Sequence, residues 1–99
     1  MNKRVNEIVA LLNNNNLSNE ERIKLLVEEK KIFEDYIKDQ KEMLEIQQGL
    51  IGIMKKINVK DDTGYLENET IMTDMLLDFI SGCKMVISNI ESEIKSLKL

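Results

Sequence analysis

Residues 19–57 contain nothing that forces a helix to stop, and this stretch constrains the fold more than any other feature of the sequence. The chain of 99 residues has no proline and only four glycines. Between residues 19 and 57, apolar side chains return at steps of three, four and seven residues, which places them along one side of an α-helix about 60 Å long. Few runs alternate as strands do, so the sequence predicts an all-α fold.

The polar segment NNNNLSNEER at residues 13–22 separates two helices. Asparagine has poor helix propensity and tolerates the left-handed conformation of helix C-caps, so residues 13–16 are typical of a helix end. Ser18, followed three residues later by Glu21, is typical of a helix N-terminus with a capping box. The segment therefore predicts a short helix over residues 3–12 and a long helix over 19–57.

The next break in the apolar periodicity is the segment NVKDDTGYLENET. Because Asn, Asp, Thr and Gly are frequent turn residues, we expect a turn over residues 58–69. Asn68 or Thr70 would then cap a last helix over residues 70–97. With this turn, the chain is predicted to form a single helical domain over residues 1–99.

The apolar stripes of the two long helices are the predicted core or interface. On the long helix the stripe consists of Leu25, Ile32, Tyr36, Met43, Ile46, Leu50, Ile53 and Ile57, with a flanking row of Leu26, Phe33, Ile37, Leu44, Ile51 and Met54. On the last helix it consists of Met72, Leu76, Phe79, Cys83, Val86, Ile90, Ile94 and Leu97, flanked by Ile80 and Ile87. The combined stripe is wider than the seam between two helices. We therefore expect an antiparallel helical hairpin with a short N-terminal helix, forming a dimeric helical bundle or coiled coil.

The unequal lengths of the helices lead to a further expectation. A last helix that starts at residue 70 would cover only about two thirds of the long helix and would leave the start of that helix bare. Ile23, Leu25, Leu26 and Val27 lie there and favour burial. The N-terminal helix and a second chain are the two available covers, and we expect both.

Residues that carry chemistry are scarce. There is no histidine and one cysteine, so the common sets of general bases, nucleophiles and zinc ligands are missing, and we expect neither an enzyme nor a bound cofactor. Acidic side chains gather at Asp61, Asp62, Glu67 and Glu69, but their spacing differs from that of an EF-hand loop. A solvated acidic turn is the preferred interpretation, and cation binding there stays an open alternative.

Charge and cysteine usage indicate the class of partner and the compartment. Residues 1–57 carry as many basic as acidic side chains, so the net charge of −4 lies in residues 58–99. Without a basic stripe or interleaved aromatic residues, nucleic acid is not an expected ligand. No run approaches the length of a membrane span, so no membrane partner is expected. Cys83 lies in an apolar stripe as a reduced core thiol, which favours a cytoplasmic protein.

Methionines are numerous on the last helix. Met72, Met75 and Met85 lie there, among six methionines in the chain. We interpret them as core filler, the alternative being a surface that adapts to varied partners.

The run LSNEERIKLLVEEKKIFEDYIKDQKEMLEI at residues 17–46 resembles the dimerisation arm of MerR-type transcription regulators. In that family a polar break and a glutamate-rich cap lead into one long helix, which pairs antiparallel with its copy. The winged helix-turn-helix that precedes the arm in that family has no counterpart in residues 1–16. The resemblance therefore implies an arm that pairs with, or sequesters, a regulator.

The hairpin plan and chain length also resemble the ESAT-6/WXG100 group of secreted helical dimers. That group carries Trp-x-Gly at its turn, whereas this turn reads Asp61, Asp62, Thr63, Gly64. The sequence as a whole predicts a small helical protein-binding module, a regulator or adaptor that acts through homodimerisation and sequestration of another protein. The alternative is a secreted or assembly-type structural hairpin dimer.

Overall fold

The computed structural model describes residues 2–57 and 64–99, and at residues 65 and 66 it describes the backbone alone. Three helices make up nearly all of these residues: α1 (Lys3–Leu12), α2 (Asn19–Lys56) and α3 (Tyr65–Leu97). No strand occurs in the described ranges. The all-α prediction is therefore confirmed.

The break between α1 and α2 follows the local chemistry of the sequence. The Asn2 side chain accepts a hydrogen bond from the Arg4 amide at 2.7 Å and so caps α1. The Ser18 hydroxyl accepts from the Glu21 amide at 3.1 Å and caps α2, and Glu21 lies in the first turn where the helix dipole favours an acid. The chain reverses direction in between, so α1 packs back along the first turns of α2.

The start of α3 differs from the prediction. The helix begins at Tyr65, so residues 65–69 are helical and the expected caps Asn68 and Thr70 lie inside α3. Gly64 precedes the helix with φ +72°, a left-handed conformation that glycine adopts without steric cost. That glycine completes the reversal early, and the acidic Glu67 then suits the first helical turn. Residues 58–63 of the predicted turn lie outside the described residues.

The two long helices run antiparallel for almost their whole length. Lys30 forms an ion pair with Glu91 at 3.2 Å near one end, and Gln47 donates a hydrogen bond to Glu69 near the other. The molecule is a rod with principal extents of 61 × 23 × 14 Å. Because α3 starts early and is as long as Tyr65–Leu97, it reaches back to the start of α2. The expectation that α3 would leave the start of α2 bare is therefore wrong.

Complete burial is confined to the end of the rod where α1 packs, together with one residue near the middle. We call this end the proximal half (α1, residues 19–37 and 80–99) and the other end the distal half (residues 38–57 and 64–79). Every buried residue in the described ranges is proximal: Val5, Ile8, Leu26, Ile80, Cys83 and Ile90. A pair of helices alone leaves one side of each apolar stripe open, and in the proximal half α1 supplies the third element.

Candidate interaction surface

The contact between α2 and α3 follows one row of side chains on each helix, which we call the seam. The members of both rows are at least partly buried and face one another across the hairpin; they recur at steps of three and four residues, with one step of seven on α2. On α2 they are Leu26, Phe33, Ile37, Gln40, Leu44, Gln47, Ile51 and Met54, and on α3 they are Glu69, Thr73, Leu76, Ile80, Cys83, Ile87, Ile90, Ile94 and Leu97. The seam therefore uses the row of α2 that the sequence places on the flank of the predicted stripe.

A second apolar row lies one position before the seam on each helix, and in the distal half it is exposed. We call this surface the open face: Met43, Ile46, Leu50, Ile53 and Ile57 of α2 with Met72, Met75 and Phe79 of α3. These eight side chains are 44% to 65% exposed. Together they present on the order of 800 Å² of mostly apolar surface, whereas the largest patch of a typical monomer is about 300–600 Å².

Both parts of the open face lie on the same side of the hairpin. In an antiparallel helix pair, the rows that precede the seam on the two helices flank it on one side. The ring contact between Tyr36 and Phe79, with centroids 6.3 Å apart, joins these two rows directly. A shallow groove of about 250 Å³ runs on between Gln40 and Met72, Met75 and Phe79. The open face is therefore continuous across α2 and α3.

The proximal part of this same side is where α1 lies. There, Leu25, Ile32 and Tyr36 of α2 are partly buried, although they belong to the row that is exposed farther along. A groove of about 370 Å³ is lined by Val9 and Leu12 of α1 on one wall and by α3 on the other. Val5 and Ile8 of α1 are 4% and 0% exposed, so they form the buried edge of the helix. An amphipathic helix thus already occupies one half of this side of the hairpin.

Polar contacts fix α1 at both of its ends. Near its start, the Arg4 guanidinium donates through two nitrogens to both carboxylate oxygens of Glu28, at 2.5 and 2.9 Å. At its end, the Arg22 guanidinium donates to the backbone carbonyls of Leu12 and Asn14, at 2.8 and 2.7 Å. The last carbonyls of a helix lack intrahelical donors, so Arg22 satisfies the Leu12 carbonyl of α1 and also holds the segment that follows the helix, at Asn14.

Two adjacent glutamates of α2 have opposite electrostatic environments. The hydrogen bond from Arg4 lowers the pKa of Glu28 below its ordinary value of 4.5. Partial burial, with a smaller contribution from the charge of Glu93 across the hairpin, raises the pKa of Glu29. Of these two neighbours, Glu28 is therefore stabilised as an anion, while Glu29, which lines the groove beside α1, is destabilised as one.

The distal seam is partly polar. The Gln47 amide donates to the Glu69 carboxylate at 2.5 Å, and the Thr73 hydroxyl donates to the Glu69 backbone carbonyl at 2.9 Å. Gln40 is a further polar member of the seam. These side chains replace apolar area that would otherwise be buried between α2 and α3. The distal half thus has a weaker internal core and a larger exposed apolar surface than the proximal half.

Cys83 lies in the seam and is 3% exposed. Burial raises the pKa of its thiol, and so disfavours the reactive thiolate. In the part of the chain that the structure describes, no three His, Cys, Asp or Glu side chains gather as metal ligands would. Asp61 and Asp62 of the acidic segment lie outside that part, and Glu67 and Glu69 lie in the first turns of α3.

The sixteen residues predicted as core or interface separate into three environments. Cys83 and Ile90 are buried; Leu25, Ile32, Tyr36, Leu76, Val86, Ile94 and Leu97 are partly buried; Met43, Ile46, Leu50, Ile53, Ile57, Met72 and Phe79 are exposed. The exposed seven are not core within one chain, and as an interface they stay a prediction. The interpretation of Met72, Met75 and Met85 as core filler is wrong, because all three are exposed. Met75 is the one open-face residue missing from the predicted set, although its step of three from Met72 signals it.

No protein-family model, no curated protein and no solved structure matches this chain. Among the described helices, none combines the length and the apolar character that crossing a membrane requires.

Proposed function

We propose that this protein is a small helical protein-binding module, a regulator or adaptor that acts through dimerisation and partner sequestration. The single observation that carries the proposal is the open face. Eight large apolar side chains stand exposed along one side of a rod, with Asp39 as the charged residue in their row, in a chain whose opposite side is mostly polar. Contiguous apolar patches of this size are typical of surfaces that bind other proteins.

The shape of the surface favours a macromolecule over a small ligand. Small-molecule sites are enclosed cavities with a few convergent polar groups. Here the two grooves beside Phe79 are open to solvent, and their linings are mainly apolar and aromatic. An elongated apolar strip of this kind suits a helix laid along it, as in helix-in-groove recognition.

The docking of α1 supports a helical ligand in particular. Val5 and Ile8, at a spacing of three residues, pack onto the proximal part of the side that carries the open face. The open face repeats the same arrangement of apolar rows for five further turns without a helix upon it. We infer that the preferred ligand is an amphipathic helix with apolar residues at steps of three and four.

The hairpin itself supports the second candidate, an assembly-type structural dimer of the kind that the ESAT-6/WXG100 resemblance implies. In that case the rod would pair with a copy of itself and bind nothing else. The two candidates differ in whether a different protein competes for the open face.

The test is affinity capture with two matched variants. Ile46→Lys with Ile53→Lys places two charges on the open face, while Val27→Lys with Leu77→Lys places two charges on side chains of similar exposure outside it. If the open face binds another protein, wild type and the control pair retain the same protein from an extract of the host, and the open-face pair loses it. Equal capture by both pairs would contradict the proposal, and capture of nothing but the chain itself would favour the structural dimer.

A further inference from the structure

We propose that, in the absence of another protein, the open face is covered by the open face of a second copy that runs antiparallel, distal half against distal half. The inference rests on the proposed function in one respect, that the open face binds protein. The inference adds that a second copy occupies the open face when no other protein is bound. It also gives the direction in which that copy runs and the point at which the overlap ends. A helical ligand would then have to displace the second copy.

The area of the open face matches what such a pair requires. A chain of 11.5 kDa exposes about 5,800 Å² in a typical folded monomer, whereas this chain exposes 7324 Å². The open face supplies on the order of 800 Å², which is the area that each partner contributes to an interface of standard size. Two copies that meet through this face would bury the apolar surface that one chain leaves in water.

The composition of the face favours a copy of the same chain. In the distal half this surface carries one charged side chain among its described residues, Asp39, near the end that meets α1. The rest of the face is apolar, so it offers little pattern that would select a differently charged partner, and it is complementary to itself. Two hairpins laid face to face would complete a four-helix bundle, in which the residues one position before the seam become core. Each distal half would then gain the layer that α1 provides in each proximal half.

The position of α1 determines the direction of the pair. If two copies ran parallel, both α1 helices would lie between the two rods at the same end and would hold the hairpins apart. In an antiparallel pair centred near residue 47, Ile57 of the second copy lies at the level of Ile37. The start of α1 lies near that level, since Asn2 lines one groove with Phe33, Tyr36, Gln40 and Phe79. The overlap therefore ends where α1 begins, after about 30 Å.

Charge at the two ends of the face agrees with this alignment. Asp39 and Lys56 are both exposed; Asp39 lies in the row of Tyr36 and Met43, and Lys56 lies at the edge of the face, three residues after Ile53. About an antiparallel axis near residue 47, Asp39 of one copy lies at the level of Lys56 in the other. The arrangement would place one such ion pair at each end of the overlap. In a parallel pair these two residues would be about 26 Å apart along the rods.

The first experiment combines molecular mass with cysteine cross-linking of the full chain. Sedimentation of the wild type at micromolar concentration should give twice the mass of one chain. Under mild oxidation, Ile46→Cys, close to the axis, should form a disulfide-linked dimer in most molecules. Ile57→Cys, about 30 Å from its copy, should not. The wild type, whose Cys83 is buried, is the background control.

Efficient cross-linking at residue 57 as well as 46, or at 57 alone, would overturn the antiparallel alignment. A monomeric wild type would overturn self-pairing and with it the dimerisation part of the proposed function, whereas the binding of another protein would still stand if the open-face pair loses its captured protein. A dimer that persists in Ile46→Lys with Ile53→Lys would show that the copies meet elsewhere.

The second experiment reverses the charges at the two ends of the overlap. Asp39→Lys or Lys56→Glu alone should weaken the dimer about threefold to tenfold, because each change places two like-charged pairs in a symmetric dimer. The double variant should recover most of that loss, and the recovery should shrink in high salt. Lys38→Glu, on the side away from the open face, is the control. Losses that simply add in the double variant would rule out the proposed alignment.

Discussion

The two halves of the rod share one hairpin but not the same degree of burial. In the proximal half three helices meet, and Ile8, Leu26 and Ile90 are almost completely shielded from water. In the distal half two helices meet, and none of its described side chains reaches that degree of burial. The row that contains Tyr36 in one half and Leu50 in the other passes from partly buried to exposed without a change in spacing. What differs is the presence of α1.

The comparison shows that a helical hairpin of this length does not bury both of its apolar rows by itself. A third layer is needed on the side of the second row. The proximal half obtains this layer from its own chain, across the reversal at residues 13–18. The distal half has no such segment in the described residues, and we propose that another chain supplies the layer. On that proposal, stability and interaction are located in different halves of the same rod.

The largest expected loss of stability comes from a substitution in α1, the third layer of the proximal half. Ile8→Ala removes a fully buried side chain, so the free energy of unfolding should fall by about 2–5 kcal/mol. Val9→Ala, next to it but on the exposed side of α1, should cost less than about 1 kcal/mol. Chemical denaturation of both variants at one protein concentration measures the difference. Equal losses would mean that α1 does not pack as a third layer.

The next largest loss of stability should follow removal of the hydrogen bonds that hold the end of α1 against α2. Arg22→Met removes the guanidinium donor from the carbonyls of Leu12 and Asn14, the latter keeping the Leu17 amide, while much of the apolar stem stays; it should cost about 1–3 kcal/mol. Lys24→Met, on an exposed side chain two residues away, is the control. Hydrogen exchange should accelerate in α1 of the Arg22 variant and not in the middle of α3. Uniform acceleration would show that α1 and the hairpin unfold as one unit.

Replacing glycines of the distal half by alanine should change the stability in opposite directions, depending on the position. A Cβ at Gly49 or Gly52 meets open space, so Gly49→Ala with Gly52→Ala should raise stability by about 1–2 kcal/mol in total. Gly64→Ala should lower it by about 1–2 kcal/mol, because φ there is +72°. Thermal melting at fixed concentration tests both. A loss in the double variant would indicate that another molecule approaches the backbone at Gly49 or Gly52.

The smallest expected effects are on the pH dependence of stability, and they are opposite for the two adjacent glutamates Glu28 and Glu29. Glu29 has a raised pKa, so its contribution to stability is greatest in acid and is lost as pH rises through the folded-state pKa. Glu29→Gln should therefore raise stability at pH 7 by less than about 1 kcal/mol, and the gain should vanish in acid.

The neighbouring Glu28 should behave in the opposite way. Its pKa is lowered, so its contribution is present above its ordinary pKa and is lost as pH falls through the folded-state value. Glu28→Gln should lower stability at pH 7, and the loss should fade as the pH falls below 4.5. Melting curves from pH 3 to pH 8 separate the two variants. Curves that shift in the same direction would contradict the assigned environments.

Local signals in the sequence were sufficient for the helices and their first boundary. Ser18 caps α2 because a hydroxyl three residues before an amide is a short-range arrangement, and the asparagines end α1 for an equally local reason. The start of α3 could not be predicted in the same way. Turn-forming residues such as Asn68 are also tolerated inside a helix, and the left-handed Gly64 was one of several candidates for the break.

The sequence alone could not predict which of the two apolar rows of α2 faces α3. Leu44 and Met43 are adjacent residues of similar apolar character, and either row satisfies helical periodicity. Which row faces α3 depends on the rotation and register of a helix that lies far away along the chain. The open face was therefore included in the predicted stripe, while its separation from the internal core required the packed structure.

The polar contact between Gln47 and Glu69 has a consequence for how the hairpin selects its alignment. Two helices with apolar residues at steps of three and four match one another equally well after a slip of seven residues. In the slipped alignment that places Glu69 opposite Met54, the hydrogen bond from Gln47 has no replacement, whereas in the opposite slip the amide of Gln40 can donate in the same way. A uniformly apolar seam would be more strongly bound but would admit slips in both directions at similar free energy. The amide and the carboxylate lower the strength of the seam and, in return, disfavour the slip toward Met54.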